Sequence, residues 1–412
     1  MSPREECFEA FADAVTAEIE ARRDEIAAAA AVNTLYIGGG TPSVLPLDVL
    51  SRIVHSLNAS REGVVPPNPP RSALRPVSPS AIHPFMWPRV ATGLAGTPLH
   101  GDTAPSGDTL WDEFTVEVNP EDIVTKGGEY ALGLMELGGN RISMGIQSFD
   151  DGILRWMNRR HDAAAAEEAF SILRRAGFDN ISVDLIFGLS QLDEKTWNDT
   201  IDKTLALGPE HISAYQLSVE EGSALEKMIA KGKYSEAPEE LCRRQYDILC
   251  ARLGAAGYRH YEISNFALPG REAIHNSAYW RRVPYVGLGP GAHSLSTDSV
   301  RSWNSQEIPR RMRDGRLATY SREEEVLTPE DIRIERIMLP LRTDLGMPEE
   351  ELRSLAGDET VERLLSEGAL IHCHPACHPE RSEGSFLDQS EGSLRIPEDH
   401  FFTSDEIIRE LI

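Results

Sequence analysis

Apolar residues in the central part of the chain occur in short runs, separated by longer stretches with helical spacing. The short runs predict β-strands and the longer stretches predict helices. A strand followed repeatedly by a helix is typical of a parallel sheet or barrel covered by helices. The predicted strands are residues 35–37, 114–118, 141–145, 181–187 and 211–217, and the predicted helices are residues 46–57, 126–138, 150–157, 162–176, 193–207 and 238–254.

Four segments depart from this repeat. Residues 5–31 have apolar side chains at helical spacing and predict an amphipathic helix. Residues 58–112 are rich in proline and lack an apolar period, which predicts a disordered insertion or a long surface loop. The α/β core is therefore expected in residues 1–57 and 113–300. Residues 301–412 predict a small, mostly helical C-terminal domain, which a low-complexity insertion interrupts at about 372–393.

Three glycines, residues 38–40, follow the first predicted strand and precede Thr41 and Pro42. Glycines allow a ligand to approach the backbone, and they leave amide groups available for a carboxylate or a phosphate. A simple turn explains the same residues, so the glycines alone do not establish a binding loop.

Polar residues follow the other predicted strands as well. They are found at residues 117–120, 145–148, 184 and 216–220. Barrels keep their sites at the carboxyl ends of their strands. Any one of these residues can instead cap the next helix, but five strand ends in succession favour a site.

Histidines, aromatic residues and glycines are concentrated in residues 258–267, 275–280 and 287–294. This composition favours the wall of a cavity for a flat, partly apolar ligand. A well-packed edge strand and its loop are the alternative interpretation.

The composition narrows the class of protein. A formal net charge of −25 without a basic cluster argues against a nucleic-acid partner. No apolar stretch is long enough to predict an integral membrane segment, and the five scattered cysteines do not predict a disulfide framework. We therefore expect a cytoplasmic protein. Whether it forms a homodimer is left open.

Several motifs together resemble the radical S-adenosylmethionine (SAM) proteins of the oxygen-independent coproporphyrinogen III oxidase group. The motifs are residues 36–43, 117–120, 141–149, 176–178, 184–189 and 287–294. Within that group, residues 275–280 (His-Asn-Ser-Ala-Tyr-Trp) resemble the HNxxYW signature of the HemW-type heme chaperones. The second resemblance implies a protein that binds heme and delivers it to acceptor proteins. The porphyrinogen-decarboxylating enzyme remains the alternative.

The resemblance also implies a fold and a set of site residues. The fold is α/β, an open (β/α)6-type barrel, with SAM lying across the strand ends. The positions that match the family's cofactor contacts are Gly39, Gly40, Thr41, Glu117, Gln147, Arg159 and Asp184. The positions that match the heme signature are His275, Asn276, Tyr279 and Trp280, and His275 is the candidate heme contact because neutral imidazole binds iron.

The chain departs from the family at the cysteines. The resemblance implies a [4Fe-4S] cluster held by a Cys-x3-Cys-x2-Cys loop after the first barrel strand, but only Cys7 precedes the glycine loop. Cys373 and Cys377 have the first spacing without a third partner, and tandem duplication accounts for them better than a zinc site does. We therefore expect no metal ligands, a missing first strand and no radical chemistry. A start codon assigned too late or a fragmentary gene is favoured over a genuine short form. An inactive truncated remnant is a further alternative.

Overall fold

The centre of the fold is a curled seven-stranded sheet that forms half of a barrel. The computed structural model describes residues 3–29, 33–61, 110–297, 299–309, 319–373 and 392–412. The strands are β1 (Thr34–Ile37), β2 (Glu113–Val118), β3 (Arg141–Gln147), β4 (Ile181–Phe187), β5 (His211–Gln216), β6 (Arg259–Glu262) and β7 (Asn265–Ala267). Their order in the sheet is β1-β2-β3-β4-β5-β7-β6. The first five are parallel, which confirms the predicted strands. The hairpin of β6 and β7 adds to β5 in antiparallel orientation.

Alternation with a period of two gives the sheet one apolar and one polar face. The outward side chains are apolar and buried under the helices, among them Phe114, Val116, Ile142, Met144, Ile146, Val183, Leu185 and Ile212. The inward side chains are mostly polar and include Thr34, Tyr36, Glu113, Glu117, Arg141, Ser143, Asp184, His211, Ser213 and Tyr215. The hydrophobic core therefore lies outside the half barrel, and the inner face is left for polar chemistry.

Helices cover the outer face between the strands, as the α/β repeat predicts. The helices before residue 281 are α1 (Pro3–Ala21), α2 (Arg23–Ala28), α3 (Leu47–Arg61), α4 (Pro120–Glu136), α5 (Asp151–Trp156), α6 (Ala163–Ala176), α7 (Glu194–Leu207), α8 (Ala224–Ala230), α9 (Glu239–Ala255) and α10 (Ile274–Trp280). Helix α10 is an exception, because it packs against the inner side of β1. The side chains of Asp150, Asp162 and Asp193 each accept a hydrogen bond from a backbone amide in the first turn of the next helix.

Three helix boundaries differ from the prediction. The first predicted helix is broken at Arg22, whose side chain turns inward. The helix that follows the glycine loop continues to Arg61, so the proline-rich segment begins later than predicted. Helix α4 begins at Pro120 rather than near residue 126, because proline is well tolerated in the first turn of a helix. Residues 62–109 and 374–391, which contain most of the two predicted insertions, lie outside the described residues.

The remaining elements form two small sheets and a helical C-terminal part. One sheet consists of β8 (His293–Thr297), β9 (Val300–Asn304) and β10 (Arg322–Val326). The C-terminal elements are α11 (Pro329–Leu341), β11 (Met347–Pro348), α12 (Glu349–Ala356), α13 (Asp358–Ser366), β12 (Ile371–His372), β13 (Ser393–Arg395) and α14 (Ser404–Leu411). None of the helices in the described part of the chain has the length and apolar character needed to cross a membrane.

A buried polar network joins α1 to the glycine-rich segment that precedes β8. The carboxylate of Glu18 accepts hydrogen bonds from Arg22 Nη1 (3.0 Å), Asn304 Nδ2 (2.7 Å) and the Gly289 amide (2.8 Å). Arg22 in turn donates to the Gly287 carbonyl oxygen at 2.6 Å. A Cβ atom at Gly287 would lie 2.0 Å from the His293 carbonyl oxygen, so only glycine allows the backbone at residue 287 to approach the start of β8 so closely.

Candidate functional site

Two carboxylates on the inner face of the half barrel are placed by neighbouring strands. Tyr36 Oη donates to Glu117 Oε1 at 2.7 Å, and the Gly39 amide donates to Glu117 Oε2 at 3.1 Å. Ser143 Oγ donates to Asp184 Oδ2 at 3.0 Å. These contacts form because β1, β2, β3 and β4 are adjacent and parallel, so their inward side chains meet across the sheet.

The environment of Asp184 favours its neutral form. Burial raises the pKa of its carboxyl from 3.8 to about 6, although the hydrogen bonds from Ser143 and Ser213 oppose the rise. Arg159 lies close enough to Asp184 for the two charges to interact, and this interaction raises the pKa of the Arg159 guanidinium. Burial has the larger effect and lowers that pKa. No described residue forms a hydrogen bond or ion pair with that guanidinium. A half-buried cation with unused donors is suited to an anionic ligand group.

The glycine loop has the geometry of a loop that a ligand can approach. A Cβ atom at Gly38 would lie 2.4 Å from Tyr36 Cε1 and 2.6 Å from Glu117 Oε1, so a side chain there would displace the Tyr36 ring and the Glu117 carboxylate. Gly39 has φ +82°, which favours glycine. Gly40 is exposed, and Thr41 Oγ1 accepts a hydrogen bond from Asn119 Nδ2 at 3.1 Å. The loop therefore contacts Tyr36 and Glu117 on one side and is exposed on the other.

Gln147 adopts a left-handed backbone conformation at the end of β3. Its φ is 70°, which is uncommon for a residue other than glycine. The pairing of β3 with β4 shifts register between Gly145 and Gln147. The buried Gln147 amide folds back over Gly145, where an added Cβ would lie 2.7 Å from its Nε2. Such strain is often found at ligand sites.

His275, the second residue of α10, packs against the inner side of β1. Its ring stacks on Tyr36 with centroids 5.0 Å apart and an interplanar angle of 19°. Its Nδ1 lies 2.8 Å from Thr34 Oγ1, and its Nε2 lies 2.9 Å from Tyr279 Oη. Burial lowers the pKa of His275, and the nearby Glu113 carboxylate opposes this only in part, so the neutral imidazole is favoured.

A cavity of about 800 Å³ lies along the side of β1 away from β2. Within the described residues β1 pairs only with β2, and side chains from both faces of β1 line the cavity. Apolar residues of α1 and α3 form one wall, and His275, Tyr279, Tyr285 and the segment 286–293 form another. Parts of the segments 275–280 and 287–294 therefore line a cavity, as predicted, whereas residues 259–267 form the edge hairpin, which was the alternative interpretation.

The structure brings two groups of predicted residues together through Tyr36. This side chain contacts Glu117, beside the glycine loop, and stacks on His275, so the predicted cofactor and heme positions are neighbours. Asn276 and Trp280 are half-buried and do not line the cavity. Sequence reasoning missed Tyr36, Thr34 and Glu113. The strand alternation, which gives these three residues the inward orientation of Glu117, was a signal for them.

The described residues do not provide a cluster site. Their cysteines are Cys7, Cys242, Cys250 and Cys373, and no three metal-ligating side chains among them come close enough to hold a metal ion. Cys242 and Cys373 are buried in packing positions, and burial raises the pKa of Cys250 to about 12. The residues described therefore do not fit a [4Fe-4S] cluster, and we derive no chemical step through one.

Comparison with known proteins identifies the family. The model of the Radical SAM superfamily matches residues 9–204. The heme chaperone HemW of Bacillus subtilis is 31% identical over 349 residues, which cover 83% of this chain and 79% of that protein. The chain belongs to the HemW family of the radical SAM superfamily. A second HemW, from Mycobacterium tuberculosis, is 29% identical over 82% of this chain and 74% of its own length.

A solved structure supports the fold assigned to this HemW family member. Coproporphyrinogen III oxidase (HemN) from Escherichia coli superimposes with a TM-score of 0.62 and covers 96% of this chain and 83% of its own. The two sequences are only 16% identical, so the likeness shows a shared fold and carries no conclusion on activity. It confirms the predicted open α/β barrel of the radical SAM type.

Proposed function

We propose that this HemW family member is a heme chaperone, which binds heme in the cavity beside His275 and passes it to acceptor proteins. The observation that carries the proposal is the position of His275, a neutral imidazole on the wall of a cavity of about 800 Å³. A neutral imidazole nitrogen is a good iron ligand. The names of the HemW relatives support the same cargo.

The cavity walls suit the rest of the heme molecule. Apolar side chains of α1, α3 and β1 and the rings of Tyr279 and Tyr285 line most of the space, which matches a flat aromatic macrocycle. Arg61 also lines the cavity and lies over the Trp111 ring, with its guanidinium carbon 4.0 Å from the ring centroid. A guanidinium on the wall offers charge-assisted hydrogen bonds to the heme propionates.

Replacing His275 with alanine is expected to weaken heme binding at least about tenfold, because even the loss of a partner behind a metal ligand costs 10–100-fold. The measurement is an absorption titration of the purified full chain with heme. His372→Ala is the matched control, because His372 is an exposed histidine on β12 and does not line the cavity. Equal affinity in the His275 and His372 variants would contradict the proposal.

We further propose that the inner face of the half barrel binds SAM. When bound, SAM supplies a sulfonium cation and an adenosyl group. Arg159 would hold its methionyl carboxylate, while Glu117 and Asp184 would accept from its amino group and ribose hydroxyls. Gly39, Gly40, Thr41 and Gln147 would complete the site. The unpaired half-buried guanidinium of Arg159 is the feature of the described residues that best supports an anionic ligand group at this position.

Replacing Arg159 with glutamine is expected to weaken SAM binding by about 10–100-fold, because a hydrogen bond to a charged group contributes about 1.5–3 kcal/mol. Isothermal titration calorimetry of the chain without added iron or sulfide measures this directly. Arg155→Gln provides the control, since Arg155 is an exposed arginine on α5. If both variants bind SAM as tightly as the unaltered chain, Arg159 does not contact it.

A further inference from the structure

Both ring nitrogens of His275 already have partners, and the two partners differ in kind. Nδ1 lies 2.8 Å from Thr34 Oγ1, on a strand of the central sheet. Nε2 lies 2.9 Å from Tyr279 Oη, one turn along the same short helix. Thr34 is half-buried, whereas Tyr279 is 40% exposed. One partner is therefore held by the fold, and the other lies at the surface of the cavity.

We infer that Thr34 accepts a hydrogen bond from Nδ1–H of His275 and thereby keeps the Nε2 lone pair available for iron, while Tyr279 is a displaceable cover on Nε2. This inference rests on the proposed heme-binding function and assigns two further roles at that site. Thr34 is a positioning residue that acts through His275. Tyr279 competes with the cargo for the same nitrogen.

The chemistry of the two hydroxyl groups supports this assignment. A neutral imidazole carries one proton, so one nitrogen donates and the other accepts. A phenol is a better donor than an aliphatic alcohol, so the Tyr279 hydroxyl is the group that donates to Nε2. The imidazole proton then lies on Nδ1 and points to Thr34 Oγ1. Metal-binding histidines commonly donate their second N–H group to such a partner, which fixes the tautomer and the ring orientation.

The backbone around Thr34 fixes this geometry. Glu113 is the residue that pairs with Thr34 between β1 and β2. Its buried carboxylate accepts hydrogen bonds from the backbone amides of Ile274 (2.8 Å) and His275 (3.0 Å). The start of α10 is therefore tied to the sheet at the position of Thr34, which keeps the side chains of His275 and Thr34 within reach of each other.

Tyr279 has the opposite character. Its ring meets the edges of His275 and Tyr285, with centroids 5.0 Å and 4.7 Å away. The side chain borders the cavity and is exposed on its other side. Rotation of Tyr279 away from His275 would uncover Nε2 without moving Thr34, Glu113 or the backbone of α10.

The tautomer can be tested without heme. Two-dimensional NMR of the 15N-histidine-labelled chain distinguishes Nδ1–H from Nε2–H imidazole, with His275→Ala used to assign the signal. The expected result is Nδ1–H in the unaltered chain and loss of this preference in Thr34→Val. Thr204→Val serves as the control, because its buried hydroxyl donates to the Thr200 carbonyl oxygen on α7. An Nε2–H tautomer in the unaltered chain would overturn the inference.

Heme titration then tests the two roles, because the two substitutions are expected to change the affinity for heme in opposite directions. Thr34→Val is expected to bind heme 10–100-fold more weakly. Tyr279→Phe is expected to bind it about fivefold more tightly, because a neutral hydrogen bond of about 1 kcal/mol no longer has to be broken. Tyr258→Phe is the control, a tyrosine that donates to the Pro209 carbonyl oxygen elsewhere. Weaker binding in Tyr279→Phe would overturn the role of Tyr279 as a cover.

The outcomes separate this inference from the function on which it rests. If the unaltered chain binds no heme, the proposed function fails, and the NMR result still decides whether Thr34 fixes the tautomer. If the unaltered chain binds heme through His275 but Thr34→Val binds it equally well and keeps the Nδ1–H tautomer, the function stands and the role of Thr34 is overturned.

Discussion

Replacing Glu18 with alanine is expected to lower the free energy of unfolding by about 3–5 kcal/mol, one of the largest losses that a single substitution causes. Glu18 is 2% exposed, and its carboxylate accepts from Arg22, Asn304 and the Gly289 amide. Removing the carboxylate leaves the buried Arg22 guanidinium with less compensation and the Gly289 amide without an acceptor, while Asn304 Nδ2 keeps only its bond to the Gly289 carbonyl oxygen. Urea unfolding of the full chain, followed by circular dichroism, measures the change.

An exposed ion pair between the end of α1 and the start of α2 provides the control for this prediction. Glu20 pairs with Arg23, and the Glu20 side chain is 70% exposed, so Glu20→Ala is expected to cost less than about 1 kcal/mol. Glu18→Gln keeps the shape and part of the hydrogen bonding, and it provides a measurable variant if the alanine variant does not fold. Similar stabilities for Glu18→Ala and Glu20→Ala would show that the buried network contributes little.

Replacing Glu262 with glutamine is expected to raise the free energy of unfolding at pH 8 by about 3 kcal/mol. Glu262 is 1% exposed, and burial, with a smaller contribution from the Asp344 carboxylate, raises its pKa from 4.5 to about 7. Its Oε1 atom has no hydrogen-bond partner among the described residues. A difference of 2.5 pKa units corresponds to about 3 kcal/mol at pH values above both pKa values.

The sign of this effect depends on pH. Between pH 4.5 and 7 the folded state holds a proton on Glu262 that the unfolded state has lost. Relative to the charged form, the protonated Glu262 carboxyl therefore stabilises the folded state fully below pH 4.5, and this stabilisation is lost as the pH rises through 7. Glutamine resembles the protonated carboxyl, so the variant should match the unaltered chain at pH 4 and exceed it at pH 8.

Urea unfolding at both pH values tests this prediction, with Glu406→Gln as an exposed control on α14. A gain of the same size at pH 4 and pH 8 would mean that the charge of Glu262 is not its cause.

Local patterns in the sequence were sufficient for the five parallel strands but not for the hairpin of β6 and β7, because each parallel strand carries its own alternation and its own turn residues. The glycine loop and His275 also belong to compact motifs, so the sequence alone singled them out, and their contacts with a ligand remain predictions. The break at Arg22 was not predictable, since helical spacing continues through it and the inward turn depends on Gly287, 265 residues away. Tyr36 and Glu113 were missed for the same reason, because alternation shows which way a side chain points and not which distant residue meets it.

The outer face of the curled sheet contributes to the stability of the fold, whereas the inner face is available for binding. The outward side chains form the core with the helices, so few substitutions there are tolerated without loss of the fold. Inward positions such as Ser143, Asp184 and Tyr215 take little part in that core, and the burial of Asp184 even opposes its ionisation. Substitutions on the inner face can therefore change its chemistry with little effect on the hydrophobic core between the outer face and the helices. The same architecture is in this way preserved in HemN, although only 16% of the aligned residues are identical.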